Sequence, residues 1–338
     1  MTIMKGYDSI IGLGIFTGTT IVNTLATEFL FADSISFTRD QVVQQIDEIG
    51  LQSRAMRRME FGDITAGGAI TKSVDTENGI GLYQHLLAGS ITTTTQTANS
   101  TTFNHVFSEG DEILEAGGAV VRLYAEVSPG GQSSTTRIWG NGVVESYSLA
   151  AAPGGMPKET WNFRFGDHTT VTNSISTASL SETAPIQYGK VILKLGLSIT
   201  AVSLTCIQDL NLTINNNILE NRELCNTFTV ENFDFGKRDV SGSFNLVFED
   251  YDDYNNFVNN TATAIQIFME STDVTSSTNH SLQIDMPECF YTGGHPTVDG
   301  PSSLIIQPIS FVANYGSNAG YQIKFTAVND QSTVPLTV

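Results

Sequence analysis

Five histidines, three cysteines and one knot of acids are the residues of this chain with chemistry to offer. His85, His105, His168, His280 and His295 stand apart, and none falls in an HxxxH, HExxH or HxE arrangement with a matching cysteine pair. The spacing that holds a metal ion along a sequence is therefore missing, and isolated histidines of this kind are ordinary core or surface residues. Cys206, Cys225 and Cys289 form no CxxC pair. An odd, sparse count argues against a disulfide framework and against structural zinc, and buried free thiols in a reducing compartment are expected. Glu249, Asp250, Asp252 and Asp253 carry enough oxygens for a calcium ion but lack the glycine and the ligand spacing of a calcium loop, so they read as a solvated helix start. The chain has no GxSxG and no P-loop. Gly12, Gly14 and Gly18 lack the helix and acidic ribose partner of a dinucleotide site. No nucleophile, base and orienting group can be combined, so the sequence does not read as an enzyme and no cofactor is expected.

The acidic knot lies inside the stretch that organises the chain, Asp239 to Phe257. Phe244, Leu246 and Phe248 alternate with Ser243, Asn245 and Val247, the period-two pattern of a strand with one buried face. Tyr254, Phe257 and Val258 then follow at helical spacing, with Asp250 or Asp252 available as N-cap. The same strand–helix unit occurs earlier, from Thr65 to Leu87. Gly68 and Gly242 lie 174 positions apart, and at that offset Ile70 meets Phe244, Val74 meets Phe248 and Tyr83 meets Phe257. Upstream, Ile35, Phe37, Thr38 and Asp40 match Leu210, Leu212, Thr213 and Asn215 at 175 positions. Matching of this kind is the residue of a duplicated module.

Composition agrees with a β-rich chain: 338 residues are 40% hydrophobic and only 15% charged, which favours strands and turns over helical bundles. The size suits two domains, each with its own core. With 35 acids against 16 bases the net charge is −19, and phosphate binding as the main activity is disfavoured, because it needs clustered Lys and Arg. The run Ile10–Val22 is too short and too rich in Gly and Thr to span a membrane, and residues 1–32 read as an arm that packs on something else. A first module is expected over residues 33–168, a Ser/Thr-rich linker over 169–186, a second module over 187–330 and a free or docking tail over 331–338. Within the first, Gln41–Glu60 is a long excursion holding Arg54, Arg57 and Arg58, and Asn216–Asp234 is its counterpart in the second. Ser90–Thr102 reads as a polar loop, while Trp161, Phe163 and Phe165 share a face and belong in a core.

The repeated unit (Gly68–Leu87 and Gly242–Val258), the stretch Gly142–Phe165 and the closing run Ser281–Tyr315 together resemble the major tail tube protein of a long-tailed, siphovirus-like bacteriophage, over most of residues 33–330. The resemblance implies a mainly β fold: two tandem tail-tube-like β-sandwich or barrel modules, each flanked by a short α-helix. It implies a virion tail protein, assembled in the host cytoplasm, whose copies polymerise into stacked rings that form a conduit for genome DNA. A two-module chain would close its ring as a trimer with pseudo-sixfold symmetry. Tape measure, tail terminator and distal tail or baseplate proteins are the implied partners, with DNA passing through the lumen without specific binding and no membrane involved. In that setting Arg54, Arg57 and Arg58 are expected to meet acids of a neighbouring ring, Glu249, Asp250, Asp252 and Asp253. The competing reading is a virion-surface decoration or carbohydrate- or receptor-binding β-module, with Trp139, Trp161, Tyr291 and Tyr321 as exposed aromatics.

Overall fold

Period-two alternation dominates the chain, and the backbone follows it. The structure is a computed structural model that describes residues 10–16, 26–46, 58–96, 99–114, 120–128, 136–171, 183–222, 229–230, 232–275, 278–297 and 304–336. In the first half, β1 (Ile10–Phe16), β2 (Glu28–Phe29), β3 (Ser34–Ile35), β4 (Thr38–Ile46) and β5 (Arg58–Ser73) lead to helix α1 (Leu82–Leu87). Strands β6 (Ile91–Gln96), β7 (Asn99–Phe107), β8 (Arg122–Ser128), β9 (Thr136–Ala151) and β10 (Lys158–Val171) follow. The second half runs β11 (Val191–Gly196), β12 (Val202–Thr205), β13 (Ile207–Asn215), β14 (Leu219–Asn221), β15 (Asn232–Asp234) and β16 (Asp239–Val247) into helix α2 (Asp252–Val258). It ends with β17 (Thr263–Thr275), β18 (Thr278–Gly293), β19 (Ile306–Asn314) and β20 (Lys324–Asn329).

Apart from the β14–β15 ribbon, the strands join one branching antiparallel network of 18 strands that does not close into a barrel. The fold is mainly β, as the composition predicts. One set of pairings occurs twice in the same chain order. In the first half β1 pairs with β2 and β8, β8 with β9, β9 with β10, β10 with β5, and β5 with β3 and β4. In the second, β11 pairs with β12 and β17, β17 with β18, β18 with β19, β19 with β16, and β16 with β13. The registers repeat as well. Gly68 lies opposite Phe163 and Ile70 opposite Trp161, while Gly242 lies opposite Phe311 and Phe244 opposite Ile309. Ile35 faces Ile70 as Leu210 faces Phe244. The β9–β10 ladder slips beside Asn162 and Phe163, and the β18–β19 ladder slips beside Ser310 and Phe311. Beyond the slip, Ala150 pairs with Lys158 and Thr297 with Ile306.

The halves share one core. Most buried apolar residues of both halves form one contiguous cluster, with two small satellites around Tyr124 and Phe233. Trp161, Phe163 and Phe165 are 0%, 1% and 1% exposed, so the face read from the sequence is core. Phe37 meets Trp139 and Phe165 edge-on at 5.2 Å and Phe163 at 5.9 Å. Each such ring removed from water contributes about 1.5–3 kcal/mol.

Several segments depart from expectation. Ile10–Phe16, read as part of an arm, is a strand zipped along β8 from Ile10↔Ser128 to Phe16↔Arg122. The polar run at Ser90–Thr102 is mostly the β6–β7 hairpin, because β-branched threonines suit an extended backbone whatever their polarity. Much of the Gln41–Glu60 excursion is the extended arms of the β4–β5 hairpin, and the Asn216–Asp234 excursion contains the β14–β15 ribbon. At the far end Val334 and Leu336 are buried, and His85 Nε2 meets the Leu336 carbonyl at 2.8 Å, so these residues dock on α1.

Candidate assembly surface

Two strand seams join the halves of the chain: β7 pairs with β20 from Phe103↔Asn329 to Phe107↔Phe325, and β9 pairs with β13 from Ser146↔Asn215 to Ala151↔Leu210. β13 is therefore flanked on both sides, by β9 and by β16, and its inward residues Leu210, Leu212 and Ile214 are fully buried. Their first-half counterparts Ile35, Phe37 and Arg39 alternate in the same phase yet are only half-buried. The cause is topological: among the described residues β3 and β4 have β5 on one side and no strand on the other. Around this edge stand Phe31, Val42, Val43, Met59 and Phe61, between 46% and 62% exposed. An open edge bearing apolar side chains is a template for another chain.

The opposite end of the chain carries the matching half of the β9–β13 seam. The repeat that sets Ala150 over Thr297 sets Ser146 over Gly293, so Gly293–Thr297 corresponds to the β9 residues that bind β13. Among the described residues no strand lies beside it on the side away from β19. Against it packs α2, with His295 between Tyr254 at 5.6 Å and Phe257 at 5.2 Å. Every residue of α1 is buried and none of α2 is, with Val258 57% exposed and Tyr251, just ahead of the helix, 64%. The roof over α1 is made by the second half: Asn216 donates to the Leu86 carbonyl at 2.9 Å and Arg238 to the Leu87 carbonyl at 2.7 Å.

Arg54 and Arg57 lie outside the described residues, and Arg58 opens β5 with its side chain outside them. Glu249, Asp250, Asp252 and Asp253 sit at the β16–α2 turn. Tyr251, not an aspartate, occupies the N-cap position, but the Asp250 carboxylate accepts from the Asp252 N–H at 2.9 Å and still serves a first-turn donor. Burial pushes the Asp253 carboxyl above its ordinary value, the bond from Tyr291 Oη at 3.3 Å opposes this, and Asp250 and Asp252 add to the rise. These acids form no ion pair with a base among the described residues.

A buried charge network escaped the sequence reading. Lys72 shares the inward face of β5 with Ile70, in phase with Val74 just beyond the strand, and is 1% exposed. Its ammonium meets Asp75 Oδ2 and Glu159 Oε1 at 3.0 Å each and donates to the Asn78 carbonyl at 2.7 Å. Burial alone would lower the Lys72 pKa, but the two carboxylates outweigh it and raise the value. Asp75 Oδ1 accepts the Glu77 and Asn78 N–H groups, Tyr83 donates to Glu159 at 3.0 Å, and the Gly79 N–H donates to Glu28. The network fixes the turn that delivers α1 into the core. Its only sequence signal is a lysine in phase with buried residues.

Three of the aromatics proposed for sugar recognition are interior, Trp161 at 0%, Trp139 at 3% and Tyr291 at 4% exposure, while Tyr321 is half-buried. The three interior rings offer no platform for a glycan. Cys289 is buried as expected of a free thiol, whereas Cys206 is exposed. Glu77, His280 and Asp330 bring ligand-type atoms within 4.8 Å of one another. No helix among the described residues is long and apolar enough to cross a membrane. No curated protein sequence matches this chain. The family described as phage tail tube protein does match it, over residues 12–313, a span that takes in the repeated pairings, the β9–β13 seam and both free edges. The chain belongs to the phage tail tube protein family.

Proposed function

We propose that the chain is a two-module tube subunit, three copies of which close a pseudo-sixfold ring, and that stacked rings form the conduit through which the genome leaves the virion. The observation that carries this reading is the β9–β13 seam, because the chain holds an unused copy of each of its sides. Carried over by the repeat, the seam sets Ser36, Phe37, Thr38, Arg39 and Asp40 of one copy opposite Thr297, Pro296, His295, Gly294 and Gly293 of the next. That pairing buries Ile35 and Phe37 as Leu210 and Leu212 are buried, roofs α2 as α1 is roofed, and closes both of these edges in a ring. The same repeat supports modules that arose by tandem duplication.

Between rings, Arg54, Arg57 and Arg58 would meet Glu249, Asp250, Asp252 and Asp253, and the tape measure, tail terminator and distal tail proteins would meet the bore and the ends. Part of the −19 charge facing the lumen would keep DNA from adhering, acting locally because screening at physiological salt limits its reach to about 8 Å. The test is a chain carrying Thr38→Cys and His295→Cys, oxidised after assembly. Covalent species that stop at three chains, with hollow tubes by negative-stain microscopy, are expected. Tubes whose subunits fail to cross-link would overturn the register, and a protein that stays monomeric at high concentration would overturn the ring.

A further inference from the structure

We infer that Glu77, His280 and Asp330 form a binding site for a divalent transition-metal ion of the zinc type, which clasps the turn ahead of α1 to the second half of the chain. Glu77 belongs to the β5–α1 turn, His280 to the start of β18, and Asp330 follows β20, so the three are distant in sequence and meet only through the fold. His280 is 2% exposed. Its Nε2 lies 2.9 Å from Thr275 Oγ1, which orients the ring as the outer partner of a metal-bound imidazole does. Its Nδ1 has no hydrogen-bond partner although Glu77 Oε1 lies 3.3 Å away. In the tautomer whose Nε2–H donates to Thr275, Nδ1 turns its lone pair toward the Glu77 carboxylate, an arrangement that a cation between them would satisfy.

The separation suits that cation. Ligands held about 2.0–2.1 Å from a tetrahedral ion sit about 3.3 Å apart, which is the His280–Glu77 distance. Glu77 is 8% exposed and Asp330 is exposed, so two ligands are fixed in the interior and the third can swing the short distance that closes the set. The segments are already pinned together: Asn329 Nδ2 donates to the Thr76 carbonyl at 2.8 Å, joining the residues just ahead of Asp330 and Glu77. Two carboxylates neutralise a doubly charged ion, and one imidazole nitrogen favours zinc and its neighbours over magnesium or calcium.

This inference does not depend on ring formation. Full-length protein stripped with chelator and desalted is titrated with ZnCl2 by calorimetry, with MgCl2 as the control, and with CoCl2 followed by visible absorption. The expected result is one zinc ion per chain, a melting temperature that rises with zinc concentration, little response to magnesium, and a cobalt d–d spectrum. Asp330→Asn, an exposed change that leaves the fold intact, and His280→Gln should each weaken zinc binding by about tenfold or more. Absence of saturable zinc binding would overturn the site, as would equal binding by the wild-type chain and Asp330→Asn.

Discussion

Tyr83 of α1 and Phe325 of β20 stack with centroids 4.4 Å apart and 19° between their planes, one ring from each half of the chain. Around them Phe107, Tyr147 and Trp161 lie at 5.7, 5.9 and 5.2 Å from Tyr83. Phe325→Ala should therefore destabilise the whole chain by about 3–5 kcal/mol, with both halves unfolding in one transition. Denaturant unfolding followed by tryptophan fluorescence and by far-ultraviolet dichroism checks this, since separate transitions would mean independent cores.

The repeated glycines make a paired prediction. A Cβ on Gly68, where φ is +150°, would stand 2.1 Å from the Ser36 carbonyl oxygen and 2.7 Å from Phe37 Cα. One on Gly242 would stand 2.5 Å from the Asn211 carbonyl oxygen and 2.6 Å from the Phe311 ring. Alanine at either position should cost about 1–3 kcal/mol or more, because backbone rather than a flexible side chain must yield. Gly189, with nothing within 4 Å, is the control whose alanine variant should melt like the wild type.

Glu28 should make stability fall as pH rises. Burial lifts its pKa from 4.5 to about 7, the Gly79 N–H and Lys72 oppose the rise, and Asp75 adds to it. The native state thus holds a proton that the unfolded chain has released. Its stabilising contribution is complete below about pH 4.5 and is lost as pH climbs through about 7. The loss is on the order of 3 kcal/mol. Glu28→Gln keeps an acceptor for Gly79 and cannot ionise, so its melting temperature should vary less over that window than that of the wild type.

Reversing Arg54, Arg57 and Arg58 to glutamate should suppress tube formation without changing the melting temperature of the free chain, and assembly should weaken with added salt. Sedimentation and negative-stain microscopy measure both. Unchanged tubes would remove the arginines from the inter-ring contact.

Much of the fold was legible because its cues are local. The alternation of Trp161, Phe163 and Phe165 gave β10 its buried face, and the offsets at Gly68 and Ile35 coincide with strand registers that repeat across the chain. Ser90–Thr102 misled because low hydrophobicity was weighed above the β-branching of its threonines. Tyr251 displaced the expected aspartate caps by one residue, within the usual uncertainty of a helix boundary. Ile10–Phe16 could not be assigned to β8 from composition, since a partner more than a hundred residues away leaves no mark on a strand's own sequence. The β9–β13 seam and the Glu77–His280–Asp330 cluster were hidden for the same reason: each is made by contacts between distant segments.

The ladder between β9 and β13, together with the shared interior, gives the two halves a bond that does not depend on the peptide chain connecting them. A protease cut placed between Val171 and Thr183 should yield two pieces that migrate apart in detergent yet elute together from a sizing column in buffer. Covalent continuity would then be a convenience of synthesis, and non-covalent adhesion the thing that keeps the particle whole.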